Sequence, residues 1–369
     1  MRAVLAQTGA PVRRRDVTLR PAATAMVWLG AGQRHERMAV PGVALGPRDV
    51  LVAVELSTIC GSDLHTVQGR RAAPTPLVLG HESVGRIIAI GDDGASAVDA
   101  SPLHVGDRVV WSVTVSCEQC DRCRAGFPQK CRDLAKYGHS RVEPRWELTG
   151  GFAGHVHLRA GTAIVRVPET LPAPALAPVS CATATAWAAV ARAAAVRPLD
   201  GARVVVYGAG LVGLTAAVIA AEEGADVRIA DPSPDRRATA TRFELSAVPP
   251  AAVDAESADV VIEASGHAVS AAIDAADTGG VVVLVGSVFP ADPVPLDAER
   301  IVRGLVTVAG VHNYTGQELA AAVAFMAGRG RAHPFADLVG AVHPLTDVDA
   351  ALAEAAAPDA PLRVGLTPR

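Results

Sequence analysis

The rhythm of apolar positions changes near residue 178. Before it, apolar residues come in short runs. Asp49 to Leu56 (DVLVAVEL) and Val84 to Ile90 (VGRIIAI) alternate as half-buried strands do, the second closed by Gly91-Asp92-Asp93-Gly94. Val105 to Val110 reads as a turn entering a strand, and Gly and Pro recur throughout, as in a β-rich domain of tight turns. Beyond Pro178 the pattern alternates between strand and helix. Ala182 to Ala195 is helical in propensity. Arg203 to Tyr207 (RVVVY) is a strand of buried type, Leu211 to Glu223 a helix, and Asp226 to Ala230 the next strand. Ser233 followed by Pro234 opens another helix, predicted to run to about Leu245. Strands follow at Val260 to Ile262, Val281 to Val285 and Leu305 to Ala309, then a helix near Glu318 to Met326 and a strand near Leu362 to Leu366. Alternating β and α with uniformly apolar strands implies a parallel, doubly wound α/β sheet.

Two places resist this pattern. Only Ser246 to Ala258 separates the second helix from the strand at Val260, which is short for a strand plus a crossover helix of about a dozen residues or more. A trimmed sheet edge or a missing helix is expected there. At the other end, Met1 to Ala25 carries five arginines and one acid. It has neither the apolar core of a signal peptide nor the serines of a transit peptide. It reads as a tail, with Met26 opening the folded part.

Composition narrows the classes. The chain has 369 residues, half of them apolar, and a formal net charge of −4. That suits a folded protein of two domains and gives no sign of nucleic-acid binding. No apolar run of membrane-spanning length appears, so no membrane partner is expected. Arginine supplies almost all positive charge, Lys130 and Lys136 being the only lysines. Four of the six cysteines fall within fifteen residues, which without a signal peptide favours metal over disulfides and a cytoplasmic location.

Gly208-Ala209-Gly210-Leu211-Val212-Gly213 lies between the first strand of the second half and its helix. The glycines permit a tight turn, close approach of a pyrophosphate and close packing of helix on strand. The free N–H groups at the helix start then face the phosphates. Asp231, at the end of the following strand, suits the ribose hydroxyls of NAD and repels a 2′-phosphate. Arg236 and Arg237 are the residues that NADP would use, were Asp231 turned away.

Cys117, Cys120, Cys123 and Cys131 are spaced to enclose one Zn²⁺ with no open position, as structural sites do. Cys60 opens Cys60-Gly61-Ser62-Asp63-Leu64-His65, His81 and Glu82 follow Gly80, and Cys181 stands where the β-rich part ends. Two cysteines, a histidine and a water make an open tetrahedral site. Taken singly, Cys181 reads more often as a small core residue and His81 as an ordinary histidine.

CGSDLH, GHE, the cysteine lobe and GAGLVG, in this order, resemble the zinc-dependent alcohol dehydrogenases of the medium-chain dehydrogenase/reductase superfamily, from Met26 to Arg369. The resemblance implies a GroES-like catalytic domain over 26–180 with a structural zinc lobe at 117–131, a Rossmann domain over 181–314, and a return to the catalytic domain over 315–369. It implies that Cys60, His81 and Cys181 hold the catalytic zinc. Glu82 resembles the carboxylate that can approach the metal, and Ser62 and His65 the proton relay. Asp63 resembles the acid that orients the ligand histidine, and Thr185 a residue near the nicotinamide. Gly61 stands where some members carry an arginine for pyrophosphate, leaving Arg363 as the candidate. NAD, two zinc ions, a small alcohol or carbonyl substrate and a homodimer or homotetramer are the expected partners. A zinc-free reductase on the same fold would not need these cysteines. A catalytically inactive NAD-binding protein would keep only the structural metal.

Narrower likenesses at Lys136-Tyr137-Gly138-His139, Gly150 to Ala153, Ser180 to Thr185 and Gly310 to Tyr314 resemble alcohol dehydrogenases associated with phosphonate metabolism. They imply a small hydroxyalkylphosphonate, with Arg70, Arg71, Lys136, His139 and His312 as candidate cations around it. An ordinary alcohol or polyol is the alternative.

Overall fold

The computed structural model describes residues 13–368. The apolar strands of the second half assemble as one parallel six-stranded sheet. Its order runs Ser246–Val248, Asp226–Ala230, Arg203–Tyr207, Ala258–Glu263, Ala276–Leu284 and Thr307–Gly310. Val204, Val206, Val260, Ile262, Val281 and Val283 are buried in one core beneath two alanine-rich helices. Each valine so buried contributes about 1.5–3 kcal/mol on leaving water. Those helices are Ala182–Ala194 and Leu211–Glu222, and the second is buried on nearly every side. Their small side chains let the helices lie close to the sheet and to each other. No single helix is long and apolar enough to cross a membrane; Ala173–Ser180 and Ala182–Ala194 reach that length only as a pair bent by 58°.

The short segment after the second helix forms the three-residue edge strand Ser246–Val248, parallel to Asp226–Ala230. The chain then returns to the sheet through a single 3₁₀ turn, Pro250–Ala252. The crossover helix is missing, as the residue count demanded. The preceding helix is also shorter than expected: Ser233 accepts from Arg236 N, but the helix ends at Thr241.

The β-rich half is an eight-stranded sheet built mainly on Val50–Thr58, Glu82–Ile90 and Arg108–Val115. The strand Arg363–Thr367 joins it antiparallel to Val50–Thr58, with Gly365 opposite Thr58. The reading of 1–25 as a tail is corrected for its described part. Arg15–Trp28 is a strand, paired antiparallel with Glu36–Leu45 from the Arg15–Leu45 register onward. Its inward positions include Leu19, Ala23 and Ala25, mostly small and set among arginine, proline and threonine, so their alternation is weak in the sequence. Residues 1–12 of the expected tail lie outside the described residues.

Candidate active site

Three segments deliver three donor side chains to one point. Cys60 follows the strand Val50–Thr58 and caps the helix Gly61–Val67 in an extended conformation. Asp63 turns back from that helix, and its Oδ2 accepts from Cys60 N at 2.9 Å. Its Oδ1 accepts from Gly80 N at 3.4 Å and faces His81 Nδ1 at 3.4 Å, an ion-pair distance. One carboxylate therefore fixes the backbone of the first donor and the ring of the second. Gly80 has φ +87°, and a Cβ there would lie 2.4 Å from the Phe152 ring, so only glycine can precede His81. Cys181 ends the 3₁₀ turn Ala177–Ser180 and precedes the helix Ala182–Ala194. The donor atoms of Cys60, His81 and Cys181 lie within 4.8 Å of one another.

Electrostatics ready this set for a cation. A hydrogen bond from Cys181, opposed by burial and aided by the Arg363 charge, holds the Cys60 thiol well below its ordinary range. Burial pushes His81 down, but Asp63 and Cys60 outweigh it and raise it well above the usual imidazole range. A metal entering here would displace that proton, since histidine ligates as the neutral ring. Two soft thiolates and one imidazole suit zinc, and three donors leave a fourth position open.

The second set is closed. The sulfur atoms of Cys117, Cys120, Cys123 and Cys131 also lie within 4.8 Å of one another. Backbone N–H groups point at them, Cys117 N to Cys131 Sγ at 3.2 Å and Cys120 N to Cys117 Sγ at 3.4 Å. The N–H groups of Arg132 and Cys123 bring the Cys120 thiol down to about 6. Four thiols so held fit one tetrahedral metal.

Glu82 lies outside both sets, which corrects its reading as a ligand. It is fully buried, accepts from Thr58 Oγ1 at 2.7 Å, and is clasped by Arg363 through Nε at 2.6 Å and Nη2 at 2.7 Å. Arg363 also lines the cleft that the glycine loop borders. Its third nitrogen, Nη1, donates one of its two N–H groups to Leu362 O at 2.8 Å and keeps the other. Glu82 is engaged in this way because a buried carboxylate claims the nearest guanidinium.

The open set faces a cleft of about 300 Å³ whose far wall is the glycine loop, Gly210 to Gly213. A Cβ on Gly213 would lie 1.9 Å from Gly208 O, so helix and loop meet backbone to backbone. Asp231 Oδ2 accepts from Ala209 N at 2.7 Å and Oδ1 from Ser233 N at 2.8 Å, which seats the carboxylate beside the loop. Arg237 spends Nη1 on the carbonyls of Asp231 and Pro232. Ser62, His65 and Thr185 line the cleft, with Ser62 Oγ 3.3 Å from His81 Nε2. Burial, followed by the charge on Arg70, lowers the His65 pKa, which favours a neutral ring able to accept a proton. Arg71, Lys136, His139 and His312 also line it; Arg70 is exposed and does not, which removes it from the set of substrate cations. A larger cleft of about 700 Å³, lined by Arg48, Thr162 and Gln317 among others, holds none of Cys60, His81 and Cys181.

Several supporting residues have roles that the sequence does not signal. Ser180 accepts from Ser83 N and donates to His81 O, and the Tyr314 hydroxyl donates to Ser180 O. Tyr314 thereby ties the turn that presents Cys181 to the end of the parallel sheet. Phe289 stacks on His65 with ring centroids 5.3 Å apart.

Comparisons with known proteins agree with both halves. The alcohol dehydrogenase GroES-like domain model matches residues 46–169, and the zinc-binding dehydrogenase model residues 212–328. An L-threonine 3-dehydrogenase of Streptomyces avermitilis is 34% identical over 295 residues, covering 74% of this chain and 80% of that protein. An L-galactonate-5-dehydrogenase of Escherichia coli is 34% identical over 258 residues, 65% of this chain and 69% of the relative. Among solved structures, an alcohol dehydrogenase of Thermotoga maritima superposes with a TM-score of 0.84 at 26% identity, covering 94% of this chain and 99% of its own.

Proposed function

The chain belongs to the zinc-dependent alcohol dehydrogenases of the medium-chain dehydrogenase/reductase superfamily, and we propose that it oxidises an alcohol bearing an anionic group, with NAD as hydride acceptor. The observation that carries this reading is the convergence of Cys60, His81 and Cys181 on a cleft shared with the glycine loop. The three would hold a zinc ion, which supplies Lewis acidity that makes a bound hydroxyl easier to deprotonate. Asp63 keeps the His81 ring aimed. Ser62 takes the hydroxyl proton, and His65, one helical turn further, passes it to solvent. Thr185, on the cleft wall, would flank the nicotinamide. Glu82 and Arg363 act through position, keeping a neutralised pair behind Cys60. Leu211 and Val212 present their N–H groups to the pyrophosphate between Gly210 and Gly213.

Asp231 supports NAD, because a carboxylate beside the loop repels a 2′-phosphate, and Arg237 Nη1 is spent on the carbonyls of Asp231 and Pro232. The anionic substituent is supported by the cations on the cleft wall and by the relatives named for L-threonine and L-galactonate. A small hydroxyalkylphosphonate is one such substrate. An ordinary alcohol or polyol is the competing reading. The test is a substrate screen followed by NADH absorbance on protein containing about two zinc ions per chain. Oxidation should proceed with NAD and stop when a mild chelator removes one ion. A kinetic preference for NADP of about tenfold or more (roughly 1.4 kcal/mol) would overturn the NAD assignment.

We also infer pairing of two copies along the sheet edge Thr307–Gly310, where Val302, Leu305 and Val308 are exposed. Light scattering should give twice the chain mass or more. A monomer at micromolar concentration would dismiss this.

A further inference from the structure

Of thirty-four lysine and arginine residues, only Lys130 and Lys136 are lysine; Lys136 lines the cleft, and Lys130 reaches His312 on its wall. Lys130 stands one residue before Cys131 in the four-cysteine lobe, and its ammonium donates to His312 Nδ1. Lys136 Nζ donates to Asn313 Oδ1 at 3.0 Å. His312 and Asn313 follow the strand Thr307–Gly310, so the lobe meets the cofactor half here. Arg71 and His139 line the same cleft, and no Asp or Glu lines it among the described residues. Arg86, Arg108, Arg132 and Arg329 are paired with carboxylates. Arg71, Lys130 and Lys136 have no such partner among the described residues.

This crowding is unfavourable by itself. Burial, then the charges of Arg71 and Lys130, brings Lys136 down to about 8. Burial, then Lys136, Lys130 and Arg71, brings His312 down to about 4. His312 is thus a neutral ring that accepts on Nδ1 and carries its proton on Nε2. Cations held together without a counter-ion mark a place built for an anion. An ammonium is a compact point charge, suited to an oxyanion where a planar guanidinium would need more room.

Resting on the alcohol-oxidation reading above, we propose that the four-cysteine lobe takes part in substrate recognition. Lys130, seated on His312, and Lys136 form a receptor for the oxyanion end of the substrate, whose hydroxyl reaches Cys60, His81 and Cys181. A metal in the lobe would then set substrate affinity as well as stability, because it fixes the residue beside Lys130.

The test compares hydroxyethylphosphonate, hydroxypropanoate and n-propanol in the holoenzyme and in Lys130→Gln and Lys136→Gln, with inorganic phosphate as inhibitor and calorimetric probe. The parent should prefer one of the two anionic alcohols over n-propanol, and phosphate should inhibit competitively. The better anion identifies a phosphonate or a carboxylate as the ligand. Each substitution should lower that preference about tenfold or more, through KM rather than kcat, and weaken phosphate binding alike. Lys136→Gln lies outside the lobe, so a shared effect cannot be blamed on a damaged metal site. If n-propanol is oxidised while preference and phosphate binding are the same in parent and both variants, the receptor is wrong. If no alcohol is oxidised with either nicotinamide, the reaction is wrong, and phosphate calorimetry alone decides the receptor.

Discussion

His81→Ala is expected to lower kcat/KM for any alcohol by about a thousandfold or more, a barrier rise of roughly 4 kcal/mol. Zinc should fall from about two ions per chain to about one. The fold should survive, since Asp63 still accepts from Cys60 N and Gly80 N when the ring is gone. Loss of the ring leaves two thiols, too few donors to retain a zinc against buffer. Metal analysis, circular dichroism and NADH absorbance together check the three parts. Near-parental turnover with one zinc fewer would sink the assignment of the open donor set.

Arg363→Met is expected to cost about 3–5 kcal/mol of stability, because it leaves the Glu82 carboxylate buried with only Thr58 beside it. Burial already raises the Glu82 pKa against the pull of Arg363, so the lone group would take up a proton rather than stay charged. The double variant Glu82→Gln/Arg363→Met should recover most of the loss, since it removes the uncompensated charge. Urea unfolding measures all three proteins. A loss under about 1 kcal/mol in the single variant would mean that water reaches the pair.

What the sequence made legible was whatever short spacing encodes. The glycine loop and the four-cysteine lobe are local patterns whose chemistry needs neighbours in sequence, and both fold as read. The missing helix was also legible, because chain length is a hard limit. Cys60, His81 and Cys181 were legible only through resemblance, since nothing local says that residues 60, 81 and 181 meet. Arg363 shows the limit from the other side. Its position near the cleft was foreseen, but its pairing with Glu82, 281 residues away, depends on which buried charge lies nearest. The first part of the strand Arg15–Trp28 escaped notice because up to residue 25 its buried side chains are only Leu19, Ala23 and Ala25. Tyr314 and Lys130 escaped because a single hydroxyl or ammonium has no signature until a partner is placed before it.

The strand that carries Arg363 has a consequence for biosynthesis. Residue 363 completes both a sheet opened by residues 50–58 and the neutral pair behind Cys60. While it is still inside the ribosome, the nascent chain has every thiol and imidazole of the open donor set but no guanidinium for Glu82. The wall behind Cys60 is therefore closed only once residue 363 has emerged, whereas the cysteine lobe, complete by residue 131, can close long before.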